Sequence, residues 1–550
     1  MKREYGIVTS ALLILPVLAV LVSSFSLTNY VDDSRIPATK HSSYLRHGDQ
    51  QVRTYEPSGQ RPNILLIVSE DNGPDLGCYG STLVKTPVLD SLAGVGVRFK
   101  NSFVTYPVCS PSRGTIFTGL YPHQNGQIGL ATHKYRMYPG MTTLPVYLKR
   151  AGYVTGCIGK IHVNPESDIP FDFRPPKGSF LLKGNFGRRN LQLYAELAAN
   201  FFRKSDAPFF LMVNYPDAHT PWVHQVNGMP KHPLSETDIQ HPPSFVGVNS
   251  DRLKALTADY YNSIERLDKM VGRLFDALRA SGKAKNTVVI YMADHGPEFS
   301  RGKFSSYEAG LNVPMIIYWP NVTKHHDVRS EFVSSIDLLP TILDAARIGK
   351  PSILPGTSLR PLLEGKRKVL WKRKYIFADN EGSFPFGYYP RNSVRGKRFK
   401  LIHNLLYQKA NPLFTIYATH SISGFEGGAT QKEIETAEAP VRQAYATWRH
   451  PPAYELYDLE NDPHELHNLS GDVHYQSQLE KLKNVLHDWQ VRTIDPMLDS
   501  NMLNRLTREM EYIMRTHPKM DDADDTGFSL HYPEYFLRYI NEKKRLQDRE

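Results

Sequence analysis

Apolar residues fall along this chain in blocks of two kinds. Asn63-Ile-Leu-Leu-Ile-Val68 is a continuous apolar run bounded by polar residues, the pattern of a strand buried on both faces. Similar runs recur at Pro208-Phe-Phe-Leu-Met-Val213, Thr287-Val-Val-Ile-Tyr-Met292 and Pro314-Met-Ile-Ile-Tyr318. Between them the period lengthens. Thr86-Pro87 supplies a cap followed by proline at the first helical position. Leu256, Tyr260, Ile264, Leu267, Val271, Leu274 and Leu278 stand three or four residues apart, one apolar face of a long helix. Gly282 follows where a helix C-terminus favours glycine. Strands alternating with helices predict an α/β sheet covered on both faces.

The pattern sets domain bounds. Lys2 and Arg3 precede an apolar run from Ala11 to Val22 and then small residues, so residues 1–26 read as a signal peptide, with a retained anchor as the alternative. Residues 27–60 are polar, contain Pro37 and Pro57 and lack periodicity, as a linker does. The α/β pattern occupies 61–370. From 371 to 498 short apolar pieces such as Tyr375-Ile-Phe377 and Phe399-Lys-Leu-Ile402 alternate with polar loops, which predicts a smaller α+β domain with antiparallel strands and a helix around Gln478 to Val491. Residues 499–550 read as a tail.

Composition adds less. Lys and Arg number 66 against 56 Asp and Glu, a formal net charge of +10, which favours polyanionic partners. The densest basic stretch is Lys366-Arg-Lys368 with Lys372-Arg-Lys374. No zinc-finger spacing or aromatic RNA-binding signature accompanies it, which argues against nucleic acid. Three cysteines, Cys78, Cys109 and Cys157, are too few for a disulfide scaffold; at most one disulfide could form, and if Cys109 is chemically committed, only Cys78 and Cys157 could pair. Asn321-Val-Thr and Asn468-Leu-Ser are glycosylation acceptors if the cell is eukaryotic.

Three clusters carry candidate chemistry. Ser69-Glu70-Asp71-Asn72-Gly73 ends the first predicted strand and Ala293-Asp294-His295-Gly296 ends another, and open α/β sheets place ligands at such ends. Together they could meet at one cation, and hard oxygen donors point to calcium or magnesium. The third is Cys109-Ser110-Pro111-Ser112-Arg113, followed by Gly114 and Thr118-Gly119. A helix opening there would direct free backbone N–H groups at an anion.

Cys-x-Pro-Ser-Arg resembles the site that sulfatases oxidise to formylglycine. In that family it follows a strand ending in two acids and precedes Gly-Lys-x-His, present here as Gly159-Lys160-Ile-His162, and strand-Asp-Asn/His-Gly. Sulfamidase-type members are similar also at His123-Gln-Asn-Gly126, Pro165-Glu166, Pro170-Phe-Asp-Phe173 and Leu456-Tyr-Asp458 with Asp462-Pro-His-Glu465. The resemblance runs from about 60 to about 495 and implies an alkaline-phosphatase-like fold, a large mixed, mostly parallel sheet between helices with a smaller C-terminal α+β domain.

It implies a formylglycine nucleophile from Cys109, made by a formylglycine-generating enzyme, and one divalent cation, calcium or magnesium, held by Glu70, Asp71, Asp294, His295 and residue 109. Arg113 would anchor the nucleophile, Lys160 and Lys303 would clamp sulfate, His162 would assist release, and His219 would protonate the leaving group. Glu70 departs from the family's usual aspartate, His295 from the asparagine of sulfamidase, and Lys303 from its arginine. The implied substrate is a sulfated glycan, N-sulfoglucosamine of heparan-type chains. Alternatives are an O-sulfatase on another glycan, a phosphodiesterase or phosphonate hydrolase, and a silent glycan-binding relative. An exported enzyme of this type, monomer or homodimer, suits a lysosome or the extracellular space in a eukaryote and the periplasm or the extracellular space in a bacterium.

Overall fold

The computed structural model describes residues 60–175, 192–204, 206–324, 326–365, 371–517 and 527–547. The targeting segment, nearly all of the linker and Lys366-Arg-Lys368 lie outside the described residues. Its strands are β1 (Asn63–Ser69), β2 (Val97–Phe99), β3 (Ser102–Phe103), β4 (Val154–Ile158), β5 (Phe209–Tyr215), β6 (Thr287–Ala293), β7 (Met315–Tyr318), β8 (Asp327–Arg329), β9 (Val333–Ser334), β10 (Ile376–Asn380), β11 (Arg391–Arg395), β12 (Phe399–Asn404) and β13 (Tyr454–Asp458).

One sheet takes the order β4-β5-β1-β6-β7-β2-β8. β4, β5, β1 and β6 run parallel, and β7 lies antiparallel to β6 and to β2. This is the mixed, mostly parallel sheet. The continuous apolar runs follow from its double cover, since alternate side chains of a strand point to opposite faces. Leu65 and Ile67 of β1 enter one core, and Ile64, Leu66 and Val68 enter the other. Full burial of each such side chain contributes roughly 1.5–3 kcal/mol.

The helix Asp251–Ala280 closes the first face through Tyr260, Ile264, Leu267, Val271 and Leu274. Its start is capped by the Ser250 hydroxyl, which accepts from Leu253 N, and it ends just before Gly282 at φ 74. The helices Cys109–Thr118, Leu144–Arg150 and Leu338–Ala345 close the second face.

A second sheet, β10-β11-β12-β13, is antiparallel throughout. Val394, Leu401 and Leu456 pack on Leu479, Leu482, Leu486 and Trp489 of the helix Gln476–Thr493. Beyond it, residues 499–550 are more than a tail. They include the helices Ser500–Thr516 and Tyr532–Gln547. Leu506, Met510 and Ile513 of the first join Tyr535, Phe536 and Ile540 of the second around Ile128, Tyr135 and Tyr138. Cys78 and Cys157 do not pair, and all three cysteines are free.

Candidate active site

The site begins with strand pairing. β1 and β6 are neighbours in parallel register, with Ser69 opposite Ala293, so both acidic strand ends leave the sheet side by side. The backbone joins them, Asp294 N donating to Ser69 O at 3.0 Å. Asp71 N then donates to Asp294 Oδ1 at 3.1 Å. Asp71 sits in the left-handed region, φ 50, a costly conformation for a non-glycine residue that clusters at functional sites. Gly296 is required after His295 because a Cβ there would meet Ala309 O at 1.7 Å.

Cys109 is the first residue of the helix Cys109–Thr118, and its N-cap Val108 makes no side-chain cap. The first-turn N–H groups are thus directed at the pocket. The spacing of Cys109 and Arg113 places them on one helix face, one turn apart. Pro111 fits the first turn because an amide proton there has no helical partner. Ser112 Oγ donates to Asp294 O at 2.5 Å, which fastens the helix to β6.

Four of the five proposed metal-binding residues converge. Donor atoms of Asp71, Cys109, Asp294 and His295 all lie within 4.8 Å of one another, a group able to hold a metal ion. Cys109 Sγ is 3.1 Å from His295 Nε2 and 4.0 Å from Asp71 Oδ1. Glu70 stands outside this group. Its longer stem carries the carboxylate to Lys160 Nζ at 3.0 Å and to within 3.7 Å of Arg113 Nη2.

The basic residues ring these acids. Arg113 is fully buried, with Nε donating to Asp294 Oδ2 at 3.0 Å and Nη1 to Asn214 Oδ1 at 2.6 Å. Lys303 Nζ donates to Asp71 Oδ2 at 2.7 Å and Glu298 Oε2 at 3.0 Å, and lies 3.5 Å from His219 Nε2. His219 Nδ1 donates to Thr220 O at 2.6 Å, which leaves Nε2 facing the pocket. His162, at φ 56, has both ring nitrogens buried without a hydrogen-bond partner. Gly159, at φ 91, lets the Gly-Lys-x-His turn press on Asn214, where a Cβ would meet Asn214 O at 2.5 Å.

Charge follows from this packing. Burial opposes protonation of His295, yet Asp294 and Asp71, with Cys109, lift it to about 9; the acids around it call for a cation. Burial works to raise Asp71, but Lys303, with His219 and His295, holds it well below the carboxylate range. Burial pushes Glu298 up to about 7 despite Lys303 and pushes His219 down to about 4. Burial, with Lys160 and Arg113, keeps His162 well below its ordinary value.

The sequence reading missed Asn214, Thr220 and Glu298. Asn214 ends the apolar run of β5, a buried amide in a hydrophobic strand and so a legible signal. Glu298 holds Lys303 and accepts from the Thr220 hydroxyl at 3.0 Å; only its nearness to Asp294-His295 in the chain hinted at it.

The Sulfatase family model matches residues 62–348, and a model described as N-sulphoglucosamine sulphohydrolase, C-terminal, matches 301–420. N-sulphoglucosamine sulphohydrolase of Homo sapiens is 33% identical over 468 residues, 79% of this chain and 91% of that protein. An ulvan-active sulfatase of Formosa agariphila is 29% identical, covering 83% and 85% of the two chains. Among solved structures, BT4656 in complex with its substrate D-glucosamine-2-N,6-O-disulfate superposes with a TM-score of 0.61 at 20% identity, over 79% of this chain and 99% of that one. A phosphonate monoester hydrolase from Silicibacter pomeroyi gives 0.59 at 19% identity, over 80% and 97%, a likeness of fold. The family match spans the large sheet and every pocket residue from Glu70 to Lys303, and with the human relative it makes this chain a member of the sulfatase family and an enzyme of that class.

Proposed function

We propose that this sulfatase hydrolyses the N-linked sulfate of N-sulfoglucosamine in heparan-type chains, with residue 109 oxidised to formylglycine and a calcium ion beside it. The observation that carries the reading is Cys109 at an uncapped helix start, 3.1 Å from His295 and among Asp71, Asp294, Arg113 and Lys160. Similarity to the human sulphohydrolase along most of both chains supports the N-sulfated sugar, and so does the match to that enzyme's C-terminal region.

Asp71, Asp294 and His295, with an oxygen on residue 109 where the thiol now stands, would hold the ion. Two carboxylates suit a hard cation better than a soft one, and the raised His295 marks a place short of positive charge. When bound, the ion supplies Lewis-acid polarisation of the sulfate. Hydrated formylglycine supplies two hydroxyls on one carbon, one to attack sulfur and one whose collapse expels sulfate, where a serine would keep a stable ester.

This chain's own residues do the remaining work. Arg113, fixed by Asp294 and Asn214, stabilises negative charge at residue 109. Lys160 and Lys303 flank the space for the anion, and preorganised cations of this kind are often the largest catalytic factor. The unpartnered nitrogens of His162 are free to bond the hydrate. His219 presents Nε2 to the leaving group. Burial favours its neutral form, and a bound sulfate would favour its protonation.

The test sets matured protein against N-sulfated, 6-O-sulfated and 2-O-sulfated heparan oligosaccharides and an aryl phosphate in parallel, with products weighed by mass spectrometry. Loss of only the N-linked sulfate is expected. Preferential loss of an O-linked sulfate, or faster turnover of the phosphate, overturns the reading.

A further inference from the structure

A groove of about 830 Å³ opens between the helix Gln476–Thr493, the segment leading into β10 and the loop around Ile353. It is separate from the pocket. The helix Cys109–Thr118 starts at the nucleophile and leads away to Tyr121 on the groove wall, and ten helical residues span about 15 Å. Cys109, Lys160, His219 and Lys303 do not line it.

The groove combines a cationic rim with an aromatic floor. Lys372, Lys374 and Arg492 line it and are exposed. None of the three forms an ion pair among the described residues. Arg373, between the two lysines, turns inward instead, its Nη2 reaching Asp337 Oδ1 at 2.7 Å. One acid, Asp488, lines the same groove. Beneath lie the half-buried rings of Trp371, Tyr375 and Phe377, Phe377 being backed by the buried Trp489 at a ring-centroid distance of 5.0 Å.

We propose that this groove is a second glycan site, which holds a stretch of sulfated chain away from the reacting sugar. The inference rests on the sulfated-glycan reading of the active site. Three cations without an ion pair among the described residues, around a half-buried aromatic floor, match a ligand with anionic sulfates on rings whose C–H faces are apolar. A neutral sugar would leave the cations unused. An anion without rings would leave the floor uncovered.

The test uses full-length protein carrying Lys372→Ala, Lys374→Ala and Arg492→Ala together. These side chains are exposed, so the fold should survive, as an unchanged melting temperature would verify. Binding is measured by calorimetry with a heparin dodecasaccharide, in a Cys109→Ala background so that the probe is not consumed. An exposed ion pair is worth about 1.5- to 5-fold in affinity, so the triple variant should bind roughly tenfold more weakly. With Cys109 intact and matured, the same triple variant should keep kcat/KM on monomeric N-sulfoglucosamine within about twofold, the noise of near-neutral surface changes. Equal heparin binding by variant and parent overturns the proposal, as does equal competition by unsulfated hyaluronan or by single-stranded DNA of matched charge. Failure of the unmutated matured enzyme to hydrolyse N-sulfoglucosamine at all refutes instead the active-site reading.

Discussion

Lys303 offers the sharpest perturbation. It is 3% exposed and its ammonium lies 2.7 Å from Asp71 and 3.0 Å from Glu298. Lys303→Met keeps the bulk of the stem and removes the charge. Breaking a buried pair typically costs about 3–5 kcal/mol, because the partner is left uncompensated. The two partners will not share that cost equally. Glu298 already sits at about 7 and escapes by taking a proton. Asp71, held well below the usual range mainly by Lys303, stays charged and carries most of the penalty. The destabilisation of metal-free protein should therefore be about 3 kcal/mol, the low end of that range. It is read as a drop in denaturant midpoint with an unchanged slope. Calcium should restore part of the loss, since a cation among Asp71, Asp294 and His295 replaces the missing charge. Turnover should not recover, because a fixed donor to the transition state is worth about 10²–10³ in rate. Equal destabilisation with and without calcium would refute the idea that the ion makes up for the missing charge beside Asp71, and wild-type turnover would remove Lys303 from the chemistry.

Two further outcomes are expected. In active protein the tryptic peptide containing residue 109 should be lighter by ~18 Da, an aldehyde having replaced the thiol, and Cys109→Ala should fold normally without turnover; an unmodified peptide in fully active enzyme sinks the assignment. Elsewhere, Glu465 is buried with Oε1 3.0 Å from Lys400 Nζ, and burial, with the nearby Glu308 charge, pushes it from 4.5 up to about 7. The folded state then binds more protons than the unfolded one between those values, so stability falls as pH rises through that window, by at most about 3 kcal/mol. Glu465→Gln should flatten this slope in denaturant midpoints at pH 5 and 7.5, and identical slopes would refute the cause.

Much of the fold was legible because its signals are local. The run Ile64 to Val68 reads as a doubly buried strand whatever its neighbours, and the spacing from Leu256 to Leu278 reads as one helix face. The helices beyond residue 499 carried a signal too, in the spacing of Leu506, Met510 and Ile513, but the change of composition there obscured it. Within the site, Cys109 and Arg113 were tied by one helical turn, and Asp294 to His295 by adjacency. Thr220 and Glu298 stand on segments well apart in the chain and meet directly, the Thr220 hydroxyl donating to the Glu298 carboxylate, so only the fold joins them.

Taken alone, the order of residues determined which strands are buried, where the helix after Cys109 begins, and which side chains bring acid, base and nucleophile to the protein. It could not determine that β1 and β6 are neighbours with Ser69 opposite Ala293, which brings Asp71 and Asp294 within reach of one cation. Nor could it show that Glu70 reaches for Lys160 while Asp71 stays with His295. Local patterns depend on rise and turn per residue, which each stretch of chain carries with it. Strand order and side-chain partners depend on packing between segments more than two hundred residues apart in sequence, and only the assembled core decides those.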